Sequence, residues 1–538
     1  MHASITHLSA LAEPIPLDRD VHLALATGAR WALALAAGAL IARLIRAKGL
    51  HWSWPLPVVF LAVGARSPLG AAAPLVGLGA LGATVRGRRW HREDLYSGGD
   101  LAAVARSRLA PLPVLKAAAL RLIAVEPGRL TDGPRQRADQ LLLGRERGGR
   151  AVSVPFGADA GRHTLVLGAT GSGKTVTQTL MAVRAIERGM GAIVVDPKGD
   201  RGMRERLCVA ASRAGREFLE WTPGGPCVYN PYARGGDTEI ADRVLAGERF
   251  TEPHYLRQAQ RYLGHAIRAL CSADIEVGLH TIVEQLEPTA LEMLLRDLPE
   301  AEALRGQAYL DSLTARQLRD LAGVRDRLAI LTESDVGRWI DPATDGARRF
   351  DLLGAAQAGA VVYFNLESDS RPLLTQMLGA AIVQDLQSTV SALQGSPLPT
   401  LVVIDEFSAI AAEQVVALFG RARSAGFSLV LGTQELSDLR PPGRERLVEQ
   451  VMGNLSLLIA HRQVVPASAE LLARMAGTRG AWRMAWSSDG RTTRTRSAEP
   501  VLAPERLTTL APGWAAVMAL GLVEGVRLTR MTSIGGGS

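Results

Sequence analysis

Residues 164–180, TLVLGATGSGKTVTQTL, decide the fold of this chain. Thr164 and the apolar Leu165, Val166 and Leu167 read as a buried strand that runs straight into Gly168-Ala169-Thr170-Gly171-Ser172-Gly173-Lys174-Thr175 and then into a helix. This is the pattern G-x-x-x-x-G-K-[ST] in the strand-loop-helix setting it requires. Gly168, Gly171 and Gly173 let the backbone fold tightly enough for successive N–H groups, those of Ala169, Thr170 and Ser172 among them, to point at phosphate oxygens. The helix N-terminus adds the positive end of its dipole. Lys174 is then placed to neutralise β and γ phosphates and Thr175 Oγ1 to ligate Mg²⁺, which makes ATP and Mg²⁺ the implied cofactors. The fold class that follows is α/β, a P-loop NTPase.

Outward from this stretch, the sheet continues in both directions. GAIVVDPKGD (191–200) is a second buried strand ending in a polar turn, so Asp196 and Lys198 fall at the carboxyl edge of the sheet, where ligands bind. Either residue serves a structural turn or a nucleotide contact. AVVYFNLE (360–367) is a further strand, followed by a helix from about Pro372 to Leu393. TLVVIDEF (400–407) has the form of a Walker B strand: an apolar run, then two acids at its carboxyl end. Asp405 would join the Mg²⁺ shell, and Glu406 would orient and deprotonate the attacking water. In GRARSAGFSLVLGTQELSDL (420–439), Gln434 lies just past an adjacent strand, positioned to read a γ-phosphate or place a water. Arg423, at a helix end, is either a dipole partner or an arginine finger.

Between about Ala246 and Asp341 the strand signal stops. Leu256, Leu263, Ile267 and Leu270 recur at helical spacing, as do Leu318, Leu321, Val324, Leu328 and Leu331, which predicts an all-α insertion. LLLGRERGGRAVSVPFG (141–157) predicts a hairpin turning at Gly148-Gly149. Near the start, residues 31–45 (WALALAAGALIARLI), extended backward through residues 23–29, and residues 67–85 are long enough to span a bilayer if Arg30 or Arg43 snorkels. Residues 46–66, with Trp52 and Trp54, would form the outer loop and belt, and Arg86, Arg88, Arg89 and Arg92 would mark the inner side. The alternative is a pair of buried hydrophobic helices in a soluble protein.

A chain of 538 residues with 47% hydrophobic content holds a sizeable core and three or four domain-sized units. Cys208, Cys227 and Cys271 lie far apart without C-x-x-C spacing, which supports neither a zinc site nor a disulfide framework. A net charge of +8 fits a polyanion or an anionic membrane face.

GATGSGKT, VVDPKGD, VVIDEFSAI and ARSAGFSLVLGTQELSDL, in this order and with a helical insertion and an N-terminal apolar hairpin, resemble the TraG/TraD-type coupling ATPases of type IV secretion and conjugation, within the FtsK/HerA class of RecA-like motors. The resemblance covers most of residues 141–531. It implies a RecA-like P-loop NTPase domain with an all-α insertion domain and an N-terminal transmembrane helical hairpin, divided as a membrane anchor (1–92), a first ATPase part with the P-loop (93–245), the insertion (246–341) and a second ATPase part with Walker B (342–534), while the residues Gly-Gly-Gly-Ser (535–538) themselves read as a linker scar. It further implies a homo-hexamer, multi-pass in the inner membrane with its ATPase domain cytoplasmic. Such a ring would hydrolyse ATP to drive single-stranded DNA and its relaxase complex to the secretion channel proteins. Carried onto matching positions, Lys174 and Thr175 bind nucleotide and Mg²⁺, Asp405 and Glu406 are the Walker B pair, Arg423 acts in trans, and Gln434 couples hydrolysis to motion.

Two features depart from that pattern. The outer loop is short, and no long C-terminal recognition tail follows the ATPase fold, so substrate reading would fall to the insertion, with the run RTTRTR (491–496) as a further phosphate-contacting candidate. An FtsK/HerA-like DNA-pumping ATPase of DNA processing or defence is the alternative enzyme, and an ATP-binding membrane scaffold is the non-enzymatic one. Glu406 argues against the scaffold.

Overall fold

The computed structural model describes residues 19–47, 73–96, 140–146, 149–156, 162–248, 252–410, 412–440, 446–486, 492–520 and 526–534, with a few isolated positions besides. These fall into two compact units, residues 134–477 with 500–538, and residues 1–133 with 478–499.

The larger unit is built on one sheet. Its strands are β1 (Gln140–Glu146), β2 (Ala151–Pro155), β3 (Thr164–Leu167), β4 (Gly191–Asp196), β5 (Phe218–Trp221), β8 (Val361–Asn365), β9 (Thr400–Ile404), β10 (Phe427–Thr433), β11 (Leu457–Ala460), β14 (Trp514–Ala519) and β15 (Arg527–Met531), while β6 (Cys227–Tyr229) and β7 (Arg348–Phe350) form a separate parallel pair. The order across the sheet is β2-β1-β15-β14-β11-β3-β10-β9-β4-β8-β5. From β11 to β5 every pairing is parallel, and from β14 to β2 every pairing is antiparallel. The hairpin expected over residues 141–157 is the β1–β2 pair at the far edge.

β3, β4, β9 and β10 are buried along their whole lengths. That is why they read as unbroken apolar runs: a parallel strand covered on both faces needs apolar side chains in both directions. Alternation still sorts them. Leu165, Leu167, Ile193 and Val195 face one core; Val166, Ala192 and Val194 face the other, against Met181, Ala182, Met203 and Leu207 of the helices Lys174–Glu187 and Arg201–Arg213.

Within the stretch 246–341 five helices follow one another from Pro253 to Thr332, and a sixth, Asp237–Leu245, precedes them. They do not stand apart. Tyr262, Leu263, Ile267, Leu321 and Leu328 belong to the same continuous core as Leu165 and Ile193. Polar ties reinforce the join: Trp221 Nε1 donates to the Trp339 carbonyl at 2.9 Å, and Asn230 Nδ2 to the Val277 carbonyl at 2.8 Å.

In the smaller unit, helices Arg19–Ala47 and Ala73–Tyr96 pack together, and a Cβ at Gly38 would collide with the Gly79 carbonyl, so two glycines permit the close crossing. Among the described residues no helix is long and apolar enough to cross a membrane, so the expected two-span hairpin is not supported at that level. The two apolar runs are only partly described: Trp52, Trp54, Arg66, residues 67–72, the side chains of residues 23–28 and those of Arg88, Arg89 and Arg92 lie outside. β12 (Thr478–Trp486) and β13 (Thr492–Pro500) form a hairpin. Residues 487–491, the side chains of residues 492–495 and the terminal residues 535–538 also lie outside the described set.

Candidate nucleotide site

β3 ends at Leu167, and the loop that follows is tied on both flanks. Gly168 N donates to the Thr433 carbonyl of β10 at 3.3 Å, Ala169 N to the Arg462 carbonyl beyond β11 at 3.1 Å, and Gly513 N to the Ser172 carbonyl at 2.9 Å. Gly171 and Gly173 have φ of 73° and 110°, where a side chain is strained. Gly168 is needed for a different reason: a Cβ there would strike Ser172 Oγ and sit 2.7 Å from His461 Cβ. The first turn of helix Lys174–Glu187 leaves its N–H groups without intrahelical acceptors, directed at the concavity of this loop. Ser172 Oγ is buried and has no partner among the described residues. An orphaned hydroxyl beside a glycine-built cradle at a helix N-terminus fits a bound phosphate chain.

Lys174 is 7% exposed and lies between the two Walker B acids, with Nζ 2.5 Å from Asp405 Oδ1 and 2.8 Å from Glu406 Oε1. Three strands deliver this arrangement, because β3, β10 and β9 are adjacent and parallel and so end at the same edge. Asp405 is 4% exposed, packed beside Gly432 of β10, where a Cβ would collide with both Asp405 Oδ1 and Gln178 Nε2. Glu406 has φ of 43°, an uncommon conformation for a side-chain-bearing residue and one that concentrates at functional sites. Burial pushes its carboxyl up, but the charge of Lys174 and hydrogen bonds from Lys174, Lys198 and Gln434 outweigh this and hold it below the usual carboxylate range. All three donors reach Oε1, Lys198 Nζ at 3.1 Å and Gln434 Nε2 at 3.0 Å. Oε2 receives no bond from any described residue. Gln434 is also linked to the loop, with Thr170 Oγ1 donating to its Oε1 at 3.4 Å.

The donor set of Asp405 and Thr175 is all oxygen, which suits Mg²⁺ held by one or two protein oxygens together with substrate phosphates. No group of three or more His, Cys, Asp or Glu that could hold a metal ion occurs among the described residues, and such a Mg²⁺ site needs none.

The structure separates Asp196 from Lys198. Asp196 Oδ1 accepts from Lys198 N and Gly199 N, and Oδ2 from Asp200 N and the Tyr363 hydroxyl, so both oxygens are consumed by the turn. Lys198 instead crosses to Glu406. Arg423 is not brought to the site: it lies in the turn Arg423–Ala425 before β10, at the amino edge of the sheet, whereas Lys174 is at the carboxyl edge. There its charge, with burial the larger cause, depresses the imidazole of His163 to about 4.

Sequence reasoning missed the buttress on the other flank. His461, fully buried just past β11, places Nε2 2.9 Å from Thr177 Oγ1, one turn into the P-loop helix. Burial lowers its imidazole to about 4, helped by Lys174 and opposed by backbone bonds at Trp514 and Ser172. The signal was present, an apolar strand LLIA ending in the polar HRQ, but nothing local tied it to residue 177.

Two family models match: the TraM recognition site of TraD and TraG over residues 399–512, and the central domain of helicase HerA over residues 140–209. The type 4 coupling protein DotL of Legionella pneumophila is 21% identical over 53% of this chain. The chain spans 45% of DotL's length. Among solved structures, the unbound bacterial conjugative coupling protein TrwBΔN70 superposes with a TM-score of 0.57 at 18% identity, covering 76% of this chain and 92% of that one. The plasmid coupling protein TrwB in complex with ADP and Mg²⁺ gives 0.56 at 18% identity, covering 77% and 94%. The resemblance to TraG/TraD-type coupling proteins read from the motifs therefore stands, and the α/β P-loop fold with it.

Proposed function

We propose that this chain is an ATP-hydrolysing DNA translocase of the coupling-protein type, which passes single-stranded DNA and its relaxase complex to a type IV secretion channel. The observation that carries the reading is the convergence of Lys174, Asp405, Glu406 and Gln434 at one sheet edge, with Lys174 2.5 Å from Asp405 and 2.8 Å from Glu406, and Gln434 3.0 Å from Glu406. The P-loop amides and Lys174 bind the ATP phosphates. Thr175 and Asp405 would hold Mg²⁺, which would supply charge neutralisation for the phosphates. Glu406, ionised and fixed through Oε1, presents Oε2 to a water and takes its proton as the water oxygen bonds to the γ-phosphorus. The bond from that phosphorus to the bridging oxygen breaks, its electron pair leaving on ADP. Gln434, touching both Glu406 and Thr170, links the state of the γ-phosphate to β10.

The assembly reading is a homo-hexamer in which Arg423 reaches a neighbouring subunit's site, since it cannot serve its own from the opposite edge. The domain division is that of a membrane anchor (1–92), ATPase parts (93–245 and 342–534) and a helical insertion (246–341). Exposed Leu33, Leu35, Leu40, Leu44, Leu81 and Val85 on the packed helices support an anchor that faces lipid, multi-pass in the inner membrane. The HerA match over residues 140–209 favours one second reading, a DNA-pumping ATPase of processing or defence.

The test is ATP turnover by the full chain with Mg²⁺, with and without single-stranded or duplex DNA, and carbonate extraction of cell membranes. Mg²⁺-dependent hydrolysis raised by single-stranded DNA, in a chain that resists extraction, is expected. A chain that binds ATP and turns none over, with or without DNA, overturns the reading. Preferential stimulation by duplex in an extractable chain selects the second one.

A further inference from the structure

We propose that Lys198 is a positioning residue for hydrolysis, the cation that holds Glu406 in place once ATP claims Lys174. The proposal rests on the ATPase reading above. Lys174 Nζ bonds both Walker B acids, at 2.5 and 2.8 Å, and a lysine at this loop position is the one that phosphates recruit. It cannot serve the phosphates and Glu406 with the same protons. When Lys174 turns to the phosphates, Glu406 keeps two donors, Gln434 and Lys198, and Lys198 alone brings a positive charge.

Lys198 is built to do this. Its side chain is 44% exposed, yet its backbone is clamped. Lys198 N donates to Asp196 Oδ1 at 3.0 Å, Gly199 N to the same oxygen at 2.9 Å, Asp200 N to Asp196 Oδ2 at 2.6 Å, and Ser368 N to the Pro197 carbonyl at 2.6 Å. Gly199 has φ of 75°, and a Cβ there would collide with the Asn365 side chain, so the turn admits one shape. Because β4 and β9 are adjacent and parallel, that shape projects Lys198 across one strand spacing onto Glu406 Oε1. Both Glu406 donors that remain, from β10's end and β4's end, reach the same oxygen and leave Oε2 without a bond from any described residue, where it can accept from a water. Lys198 is thus separate in role from Lys174: it acts through Glu406 and not on nucleotide affinity.

The experiment compares the full-length parent with K198A, K198R, E406Q and K198A/E406Q, measuring nucleotide affinity with a fluorescent ATP analogue and single-turnover cleavage of radiolabelled ATP. K198A should lose about a hundredfold in the cleavage rate, the scale of one preorganised electrostatic contact. Its nucleotide affinity should stay within about threefold, since phosphate contacts are untouched. K198R should recover at least about tenfold of the loss, because a guanidinium restores the charge. K198A/E406Q should cleave no more slowly than E406Q, as groups acting in one unit are non-additive. A K198A rate like the parent's, a loss of ATP affinity in K198A, or a further loss in the double variant each overturns the proposal. A parent that binds ATP without cleaving it overturns the ATPase reading instead.

Discussion

Lys174 and Asp405 form a buried ion pair, Nζ to Oδ1 at 2.5 Å, with side chains only 7% and 6% exposed. The lysine that would bind nucleotide is therefore also a counter-charge for the two carboxylates that follow β9. Removing one partner of such a pair leaves the other charge unpaired in a low-dielectric site, at a cost of about 3 kcal/mol. K174A should accordingly lose both nucleotide binding and thermal stability. E406Q keeps the cradle and an oxygen for the three donors, so it should bind ATP and fail to turn it over. Binding isotherms and melting curves on both variants check this. Equal loss of ATP affinity in the two would remove the role given to Glu406.

Gly432 is the space in which Asp405 and Gln178 meet. Gly432 lies in a strand with no exposed residue, and a methyl there collides with Asp405 Oδ1 and Gln178 Nε2, both on neighbouring elements. G432A should cost about 1–3 kcal/mol of stability as overpacking and move Asp405 enough to lower Mg²⁺-dependent turnover at least about tenfold. Gly420, in helix Ala412–Ala422, has open space at its Cβ, so G420A should be neutral or stabilising by up to about 1 kcal/mol. Turnover by G432A matching that of G420A would show that the close approach is not needed for activity.

The parallel strands and P-loop were legible because local sequence dictates them. A strand buried on both faces must be apolar throughout, and a phosphate loop must carry glycines where φ is positive, as at Gly171 and Gly173. The pairing of Glu406 with Gln434 was likewise foreshadowed, since both follow strands that a P-loop sheet places side by side. His461 was not, because its partner Thr177 is 284 residues away and the contact depends on β11 lying next to β3. The target of Lys198 was hidden for the same reason, and its backbone partner Asp196 was recognisable only as one of two alternatives. Helical periodicity pointed to helices beyond Ala246 but could not reveal that Tyr262 and Leu328 share a core with Leu165. Cutting that segment out would therefore expose the sheet's own core face. Surface substitutions are the better probe of its role.

Arg423 stands at the amino edge of the sheet, away from Lys174. If it completes a neighbour's site in a ring, R423A and E406Q subunits should complement when mixed, because one class of interface then carries an intact Arg423 and an intact Glu406. Recovered ATP turnover in mixed rings, with neither variant active alone, is the expected result. Inactivity in rings shown by labelling to mix would restrict Arg423 to its place beside His163.

His461 and His163 make the fold sensitive to acid. Each is at most 2% exposed, and burial, the largest cause in both cases, lowers each imidazole from 6.5 to about 4. A depressed folded value means that the unfolded chain takes up the proton first, so the stability tied to neutrality is full above pH 6.5 and is lost as the pH falls from there towards 4. The shift corresponds to about 3 kcal/mol per histidine at the acid end. Protonated His461 would also place a second cation beside Lys174, so the P-loop flank should loosen in the same range. Urea midpoints between pH 7 and pH 4 measure this, with H461Q and H163Q compared with the parent so that carboxylate titrations common to all chains cancel. Each variant should lose stability at pH 7, through its missing contacts, and show a shallower decline below pH 6.5. A parent and H461Q whose midpoints fall in parallel would mean that His461 takes up its proton as readily in the folded chain as in the unfolded one, and the neutral buttress behind the P-loop would be wrong.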